Sequence, residues 1–169
     1  GAVARLRESG HRTEMLSGDR QQVTAHVARE VGIERAAGDT SLERKVQLVR
    51  ERAAAGAVVA FVGDGTNDAL AMGEARIAVA MARSTDEALY AAGFVALRGD
   101  VGALPDLFAA GRKLRRVVRG NYLWAFAFNT LFIPVAAAGQ LVPLAAMLLM
   151  LLSSTAVLAN SLRMRRAAG

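Results

Sequence analysis

Two aspartates four residues apart, Asp64 and Asp68, frame the stretch Gly63-Asp64-Gly65-Thr66-Asn67-Asp68. Carboxylates in that arrangement suit a hard cation such as Mg²⁺ together with a phosphoryl group. The glycines allow a tight turn and a close approach of backbone to ligand. Asn67 adds a neutral amide to this candidate phosphate loop of Gly63, Gly65 and Asn67. Two further motifs suit the same chemistry. Ser17-Gly18-Asp19 offers a hydroxyl and backbone N–H groups at a turn, where a phosphate oxygen is well held. Lys45 offers an ammonium that can neutralise a transferring phosphoryl group. Taken singly, Ser-Gly-Asp is also an ordinary turn and helix cap, and Lys45 an ordinary solvated lysine. The aspartate loop is the more specific signal, because two acids and two glycines at a strand end serve no packing purpose.

The elements that must position these residues follow from the pattern of apolar positions. Val58 to Val62 is an apolar, β-rich run stopped by Gly63 and predicts a buried strand, with Asn67 to Met72 a short helix behind it. Ala2 to Ser9 predicts a helix ended by Gly10, and His11 to Leu16 a strand running into Ser17. Val23, Val27 and Val31 recur at helical spacing over Arg20 to Val31, with Asp19 as the expected cap and Gly32 as the stop. Ile33 to Ala37 predicts a strand. Ser41 predicts the cap of a helix whose apolar stripe is Leu42, Val46, Leu48 and Val49, ending at Gly56. Ile77 to Met81 and Phe94 to Leu97 predict strands on either side of a helix over Thr85 to Ala92. Alternating strands and helices of this length give an α/β fold with a parallel sheet. The half-sheet is short for a whole domain, so earlier strands are expected outside these residues.

Beyond Val101 the composition changes. Residues 1–105 hold 13 Lys and Arg against 14 Asp and Glu, whereas residues 106–169 hold 8 against 1. The +6 net charge therefore belongs to the second part. Its cations flank very apolar segments: Arg112, Lys113, Arg115, Arg116 and Arg119 precede them, and Arg163, Arg165 and Arg166 follow. That is the flank pattern of a membrane hairpin with both ends cytoplasmic, which sets nucleic acid aside as a partner. Val101 to Arg119 predicts a connecting helix. Tyr122 to Leu141 carries no charge and has the length to cross a lipid core, with Pro134 within it. Val142 to Leu162 crosses back after a turn at Gly139-Gln140. The sequence contains no cysteine, so thiolate chemistry and disulfides are excluded within it. His11 and His26 are isolated and read as ordinary surface or turn residues. The opening residues look like the middle of a helix, and the chain is expected to be a fragment.

Together the strings MLSGDR, VGDGTNDALAM and NYLWAFAFNTLFIP…MLLSSTAVLAN resemble the C-terminal part of heavy-metal-transporting P-type ATPases. The resemblance covers essentially the whole chain. It implies a partial haloacid-dehalogenase-like, Rossmann-type phosphorylation domain over residues 1–105 and a basic connecting helix over 106–120. The last two transmembrane helices would follow over 121–163, and a cytoplasmic tail over 164–169. It implies that Ser17, Gly18 and Asp19 assist dephosphorylation, that Lys45 contacts the phosphoryl group, and that Asp64 and Asp68 organise Mg²⁺. ATP would be bound mainly by a domain outside these residues. The copper(I)-exporting subclass carries Asn, six residues, Tyr-Asn, four residues and Pro; here Asn121, Phe128-Asn129 and Pro134 keep that spacing. It then carries Met, two residues, Ser-Ser, five residues and Asn, matched by Met150, Ser153-Ser154 and Asn160. Met150 and Ser154 share a helix face. A thioether is a soft ligand suited to Cu(I), so Asn129, Met150 and Ser154 are the expected contacts of the transported ion. Polar residues and methionines also serve plain helix packing in membranes. Phe128 stands at the subclass tyrosine and supplies no oxygen.

The sequence contains no Asp-Lys-Thr-Gly-Thr and no Cys-Pro-Cys. The expectation is therefore a multi-pass plasma-membrane efflux pump, served in its full form by a metallochaperone, of which these residues alone are inactive. The competing readings are a membrane-tethered phosphatase of the same fold and a truncated, non-catalytic partner or remnant.

Overall fold

The computed structural model describes residues 1–64, 66–82, 84–97 and 100–165, with Thr66, Met164 and Arg165 described by backbone alone. Gly65 of the expected phosphate loop, Arg166 of the basic flank and the rest of the tail (residues 167–169) lie outside the described residues. The chain divides into two compact units, Gly1–Asp106 and Leu107–Gly169.

The first unit alternates helices and strands: α1 (Ala2–Glu8), β1 (Glu14–Leu16), α2 (Gln21–Val31), β2 (Arg35–Ala37), α3 (Leu42–Ala54) and β3 (Ala60–Gly63). A single 3₁₀ turn over Thr66–Asp68 leads into α4 (Ala69–Glu74), followed by β4 (Ile77–Met81), α5 (Asp86–Ala91) and β5 (Phe94–Ala96). All pairings are parallel, in two sheets: β1 beside β2, and β3-β4-β5. Parallel strands need helical crossovers, which is what α2, α4 and α5 supply. The central strand β4 is shielded on both faces, so Ala78, Val79 and Ala80 are buried. Met72 of α4 and Ala88 of α5 close over it, with Phe61 and Leu89 packed against the cluster. Alanines dominate this core because short side chains let α4 and α5 lie close to the strands.

Two expectations for α2 are corrected. Its buried face is Thr24 and Ala28, while Val23, Val27 and Val31 remain 51%, 39% and 44% exposed. The smaller pair lets the helix approach β2 closely, and the valine stripe faces away. Its cap is not Asp19 either. The Asp39 carboxylate, on the loop after β2, accepts from the first helical N–H at Gln21, 3.0 Å away. By contrast Ser41 caps α3 as expected, accepting from Arg44 N at 3.3 Å, and the apolar stripe of α3 turns inward with Val49 3% exposed. Strand β3 begins at Ala60, leaving Val58 74% exposed and outside the ladder.

The second unit is helical. Helix α6 runs unbroken over Ala103–Ala137 with Pro134 inside its last turn, so the expected connecting helix and first span are one helix. Helix α7 covers Pro143–Arg165 after a turn in which Gly139 takes φ +70°. Among the described residues one helix is long and apolar enough to cross a membrane, Pro143–Arg163, with mean hydropathy 1.7 and no part of it buried. By the same measure α6 falls short. Helix α6 ends at Ala137 rather than Leu141, and Asn121, Tyr122, Trp124 and Asn129 dilute its uncharged stretch.

Candidate functional site

In the first unit the site is assembled where parallel strands end. Because β1 and β2 are in register (Leu16 opposite Ala37), their following loops leave the same edge and interlock. Ser17 N donates to Ala37 O at 3.0 Å, Thr40 N to Ser17 O at 2.9 Å, and Asp39 N to Asp19 O at 2.6 Å. Gly38 is required here: a Cβ at that position would lie 2.5 Å from the Gln21 Cα. The Ser17 hydroxyl donates to Asp19 Oδ2 at 2.9 Å and accepts from Asp19 N at 3.2 Å. Asp19 therefore orients the serine rather than capping α2.

The chain continues from Thr40 into the Ser41 cap and α3, which delivers Lys45. Its ammonium donates to Asp68 Oδ1 at 2.8 Å, and the two side chains are only 12% and 14% exposed. Asp68 in turn lies over Gly63, where a Cβ would meet its Oδ2 and its Cβ at 2.7 Å. Gly63 is thus glycine because the Asp68 carboxylate occupies the space a side chain would need. The loop backbone is tied from the far side as well. Ser84 Oγ donates to Gly63 O at 3.4 Å, and Thr85 N donates to Asp64 O at 3.2 Å before Thr85 caps α5. Asp64 and Asn67 are exposed at the rim.

A run of hydrogen bonds thus links the separate sequence motifs: Ser17 to Thr40, the Ser41 cap to Lys45, Lys45 to Asp68. The sequence reading named Ser17, Lys45, Gly63, Asp64 and Asp68 but missed Asp39, Thr40, Ser84 and Thr85. Gly38-Asp39-Thr40 after β2 repeats the small-acid character of Ser17-Gly18-Asp19 after β1 and was a legible signal. The exposed Asp64 and the Lys45-bound Asp68 are hard oxygen donors of the kind that suits Mg²⁺, which keeps most of its waters and binds through one or two carboxylates plus phosphate oxygens. Among the described residues no cluster of three His, Cys, Asp or Glu side chains forms a complete cage. The donor set fits an ion shared with a phosphorylated group and does not fit a closed structural site.

Two peripheral carboxylates are acidified. The Glu74 carboxyl lies below its usual range because the Arg50 guanidinium hydrogen-bonds it at 2.6 Å, tying α3 to α4. Glu43, in the first turn of α3, is lowered by its own backbone N–H and by the Ser41 hydroxyl.

The second unit contains a different kind of site. Near its charged end, Asn160 Nδ2 donates to Asn121 Oδ1 at 2.8 Å and Asn121 Nδ2 donates to Ser161 Oγ at 3.0 Å. Sequence spacing used these asparagines only as landmarks; they clamp α6 to α7. Further along, a groove of about 490 Å³ is lined by Phe128, Asn129, Met150, Ser153 and Ser154 among others. The structure so brings the expected transport residues of α6 and α7 to one groove. Phe128 lies against Phe132 at 4.6 Å and Trp124 at 6.4 Å between ring centroids.

Comparison with known proteins bears on nearly the whole chain. The haloacid dehalogenase-like hydrolase family matches residues 1–76. The chain is 43% identical over 164 residues, 97% of its length, to cation-transporting P-type ATPase B of Mycobacterium tuberculosis. It is 42% identical over 165 residues, 98% of its length, to a copper-exporting P-type ATPase of the same organism. It spans 22% of each of these relatives. A zinc-transporting PIB-type ATPase superposes with a TM-score of 0.89 at 29% identity, covering 96% of this chain and 27% of that one. The first unit has the haloacid-dehalogenase-like α/β fold. Along nearly its whole length the chain is similar to a segment of the heavy-metal P-type ATPases.

Proposed function

We propose that these residues are the C-terminal portion of an ATP-driven heavy-metal efflux pump, with Cu(I) as cargo and an aspartyl-phosphate as its working intermediate. The ion pair of Lys45 and Asp68 carries the reading, since it fixes an ammonium and a carboxylate together at a strand's carboxyl end, where phosphoryl transfer needs them. Strand topology supports it. β1 and β3 each have one hydrogen-bonded neighbour, and both end in site loops, so a further parallel strand bearing the phosphorylated aspartate would complete the sheet.

In this account Lys45 neutralises the equatorial oxygens of the transferring group, and its pairing with Asp68 holds it in one rotamer. Ser17 Oγ and the N–H groups of the 17–19 loop hold a phosphate oxygen during dephosphorylation. Asp64 and Asp68 would hold Mg²⁺, which supplies charge neutralisation at the phosphoryl oxygens. Helix α6 runs from the edge of the first unit into the second, where Asn129, Met150 and Ser154 offer amide oxygen, thioether and hydroxyl to a soft cation. Both α6 and α7 are read as spanning the membrane with their basic ends cytoplasmic.

The reading is tested in the longer protein by metal-stimulated ATP hydrolysis. Lys45→Ala is expected to lower turnover by about 100-fold, the scale of a lost electrostatic contact to the transition state. The 169 residues by themselves are expected to hydrolyse no ATP. Turnover unchanged by Lys45→Ala overturns the site assignment. The match to haloacid dehalogenase-like hydrolases favours a second reading, a membrane-tethered phosphatase, whose activity would not respond to metal cargo.

A further inference from the structure

We propose that the cationic end of the α6–α7 pair is a binding site for anionic phospholipid headgroups. Arg112, Arg115, Arg116 and Arg119 of α6 form it together with Arg163 of α7. The inference rests on the reading that this unit lies in a bilayer and adds to it a specific ligand class.

Charge complementarity is the first argument. From Leu107 onward the chain has 8 Lys and Arg and not one Asp or Glu, so nothing within this unit can neutralise them. In the first unit many of the cations are paired: Arg5, Arg7, Arg35, Arg44, Arg50 and Arg52 each reach a carboxylate. Among the described residues, no ion pair or side-chain hydrogen bond involves Arg112, Arg115, Arg116, Arg119 or Arg163. Five guanidinium groups toward one end of the helix pair without an acid are an incomplete electrostatic arrangement, and a polyanionic surface is what completes it.

Geometry gives the second argument. Positions 112, 115, 116 and 119 follow i, i+3, i+4, i+7 spacing, which puts them on one face of α6, and all four are exposed. They span about 10 Å of helix axis at 1.5 Å per residue, comparable to the depth of a headgroup layer. The Asn121–Asn160 bond brings Arg163 to the same end. The uncharged stretch begins directly after Arg119, and Tyr122 and Trp124, 74% and 48% exposed, follow within two turns. Aromatic residues at that depth mark the interface between lipid chains and headgroups. The guanidinium forks therefore lie at the level where lipid phosphates lie, and each can engage a phosphate through two parallel hydrogen bonds. A basic cluster immediately outside a membrane helix is the arrangement that retains acidic lipids.

The test reconstitutes the chain into vesicles of equal phosphatidylcholine and phosphatidylglycerol, and measures the lipids retained after gentle extraction by native mass spectrometry. The intact chain is expected to retain phosphatidylglycerol over phosphatidylcholine by about fivefold, and the Arg112→Gln, Arg115→Gln, Arg116→Gln, Arg119→Gln variant to lose that enrichment. The matching four-lysine variant keeps the charge and is expected to keep most of it. Flotation with pure phosphatidylcholine vesicles separates the two claims. If neither chain floats, the membrane reading falls and the headgroup site with it. If both float but retain equal lipid ratios, the headgroup site alone is overturned. Displacement of the enriched lipid by inorganic phosphate, against a chloride control of equal ionic strength, also overturns the lipid assignment.

Discussion

The two units solve the problem of holding polar groups in opposite ways. In Gly1–Asp106 acids and bases are nearly balanced, and the site is built from charge: Lys45 against Asp68, Ser17 against Asp19, with loops fixed by backbone hydrogen bonds at strand ends. In Leu107–Gly169 no acid exists, and the polar contacts are neutral amides and hydroxyls between Asn121, Asn160 and Ser161. On the proposed function, the difference follows from what each unit would handle. A phosphoryl group is a multiply charged object and needs fixed opposite charges near water. A cation crossing an apolar medium is better served by neutral donors, because a fixed carboxylate there is costly and would bind too tightly to release.

The comparison can be broken from the charged side first. Lys45→Ala leaves Asp68, 14% exposed, without its cation, and is expected to destabilise the first unit by about 3 kcal/mol in urea unfolding. A cost near zero would mean the pair is a surface contact. Gly63→Ala drives a Cβ within 2.7 Å of the Asp68 carboxylate and is expected to cost about 2 kcal/mol, with the loss of Lys45–Asp68 coupling in a double-mutant cycle. On the helical side, Asn121→Ala removes two hydrogen bonds, and its expected cost in unfolding from detergent is about 1 kcal/mol. If it exceeds the Lys45 effect, the contrast between the units is wrong. Phe128→Tyr is expected to leave stability within about 0.5 kcal/mol and to shift metal preference toward Cu(I); unchanged preference makes that position a spectator. The smallest effect is acidic. Glu74 is held below its ordinary pKa of 4.5 by Arg50, so its stabilising contribution is present above that value and is lost as pH falls through the lowered one. Arg50→Ala should flatten the acid limb of a stability–pH curve slightly, the more so at low salt.

Most of the first unit was legible because its signals are local. Ile77–Met81 reads as a buried strand and is one. Ser41 reads as a cap and is one, and Gly63 before two acids reads as a site. What was not legible depended on partners far away in sequence. Asp39 caps α2 from 18 residues beyond Gln21, and no periodicity reveals that. The valine stripe of α2 was a misleading signal, since close packing selected Thr24 and Ala28 instead. In the second unit α6 is less apolar than its lack of charge suggests. A charge-free stretch is not the same as an apolar one when it contains Asn121 and Asn129.

The central claim is that the first unit does phosphoryl chemistry which the helical unit gates with a metal ion. Its most direct test is phosphate incorporation and release by the longer protein in lipid vesicles, with and without Cu(I). Asn129→Ala with Met150→Ala is predicted to abolish metal stimulation while leaving incorporation of inorganic phosphate intact, and Lys45→Ala to abolish both. Hydrolysis that is indifferent to metal, and to the second-unit substitutions, would contradict the account and favour the phosphatase.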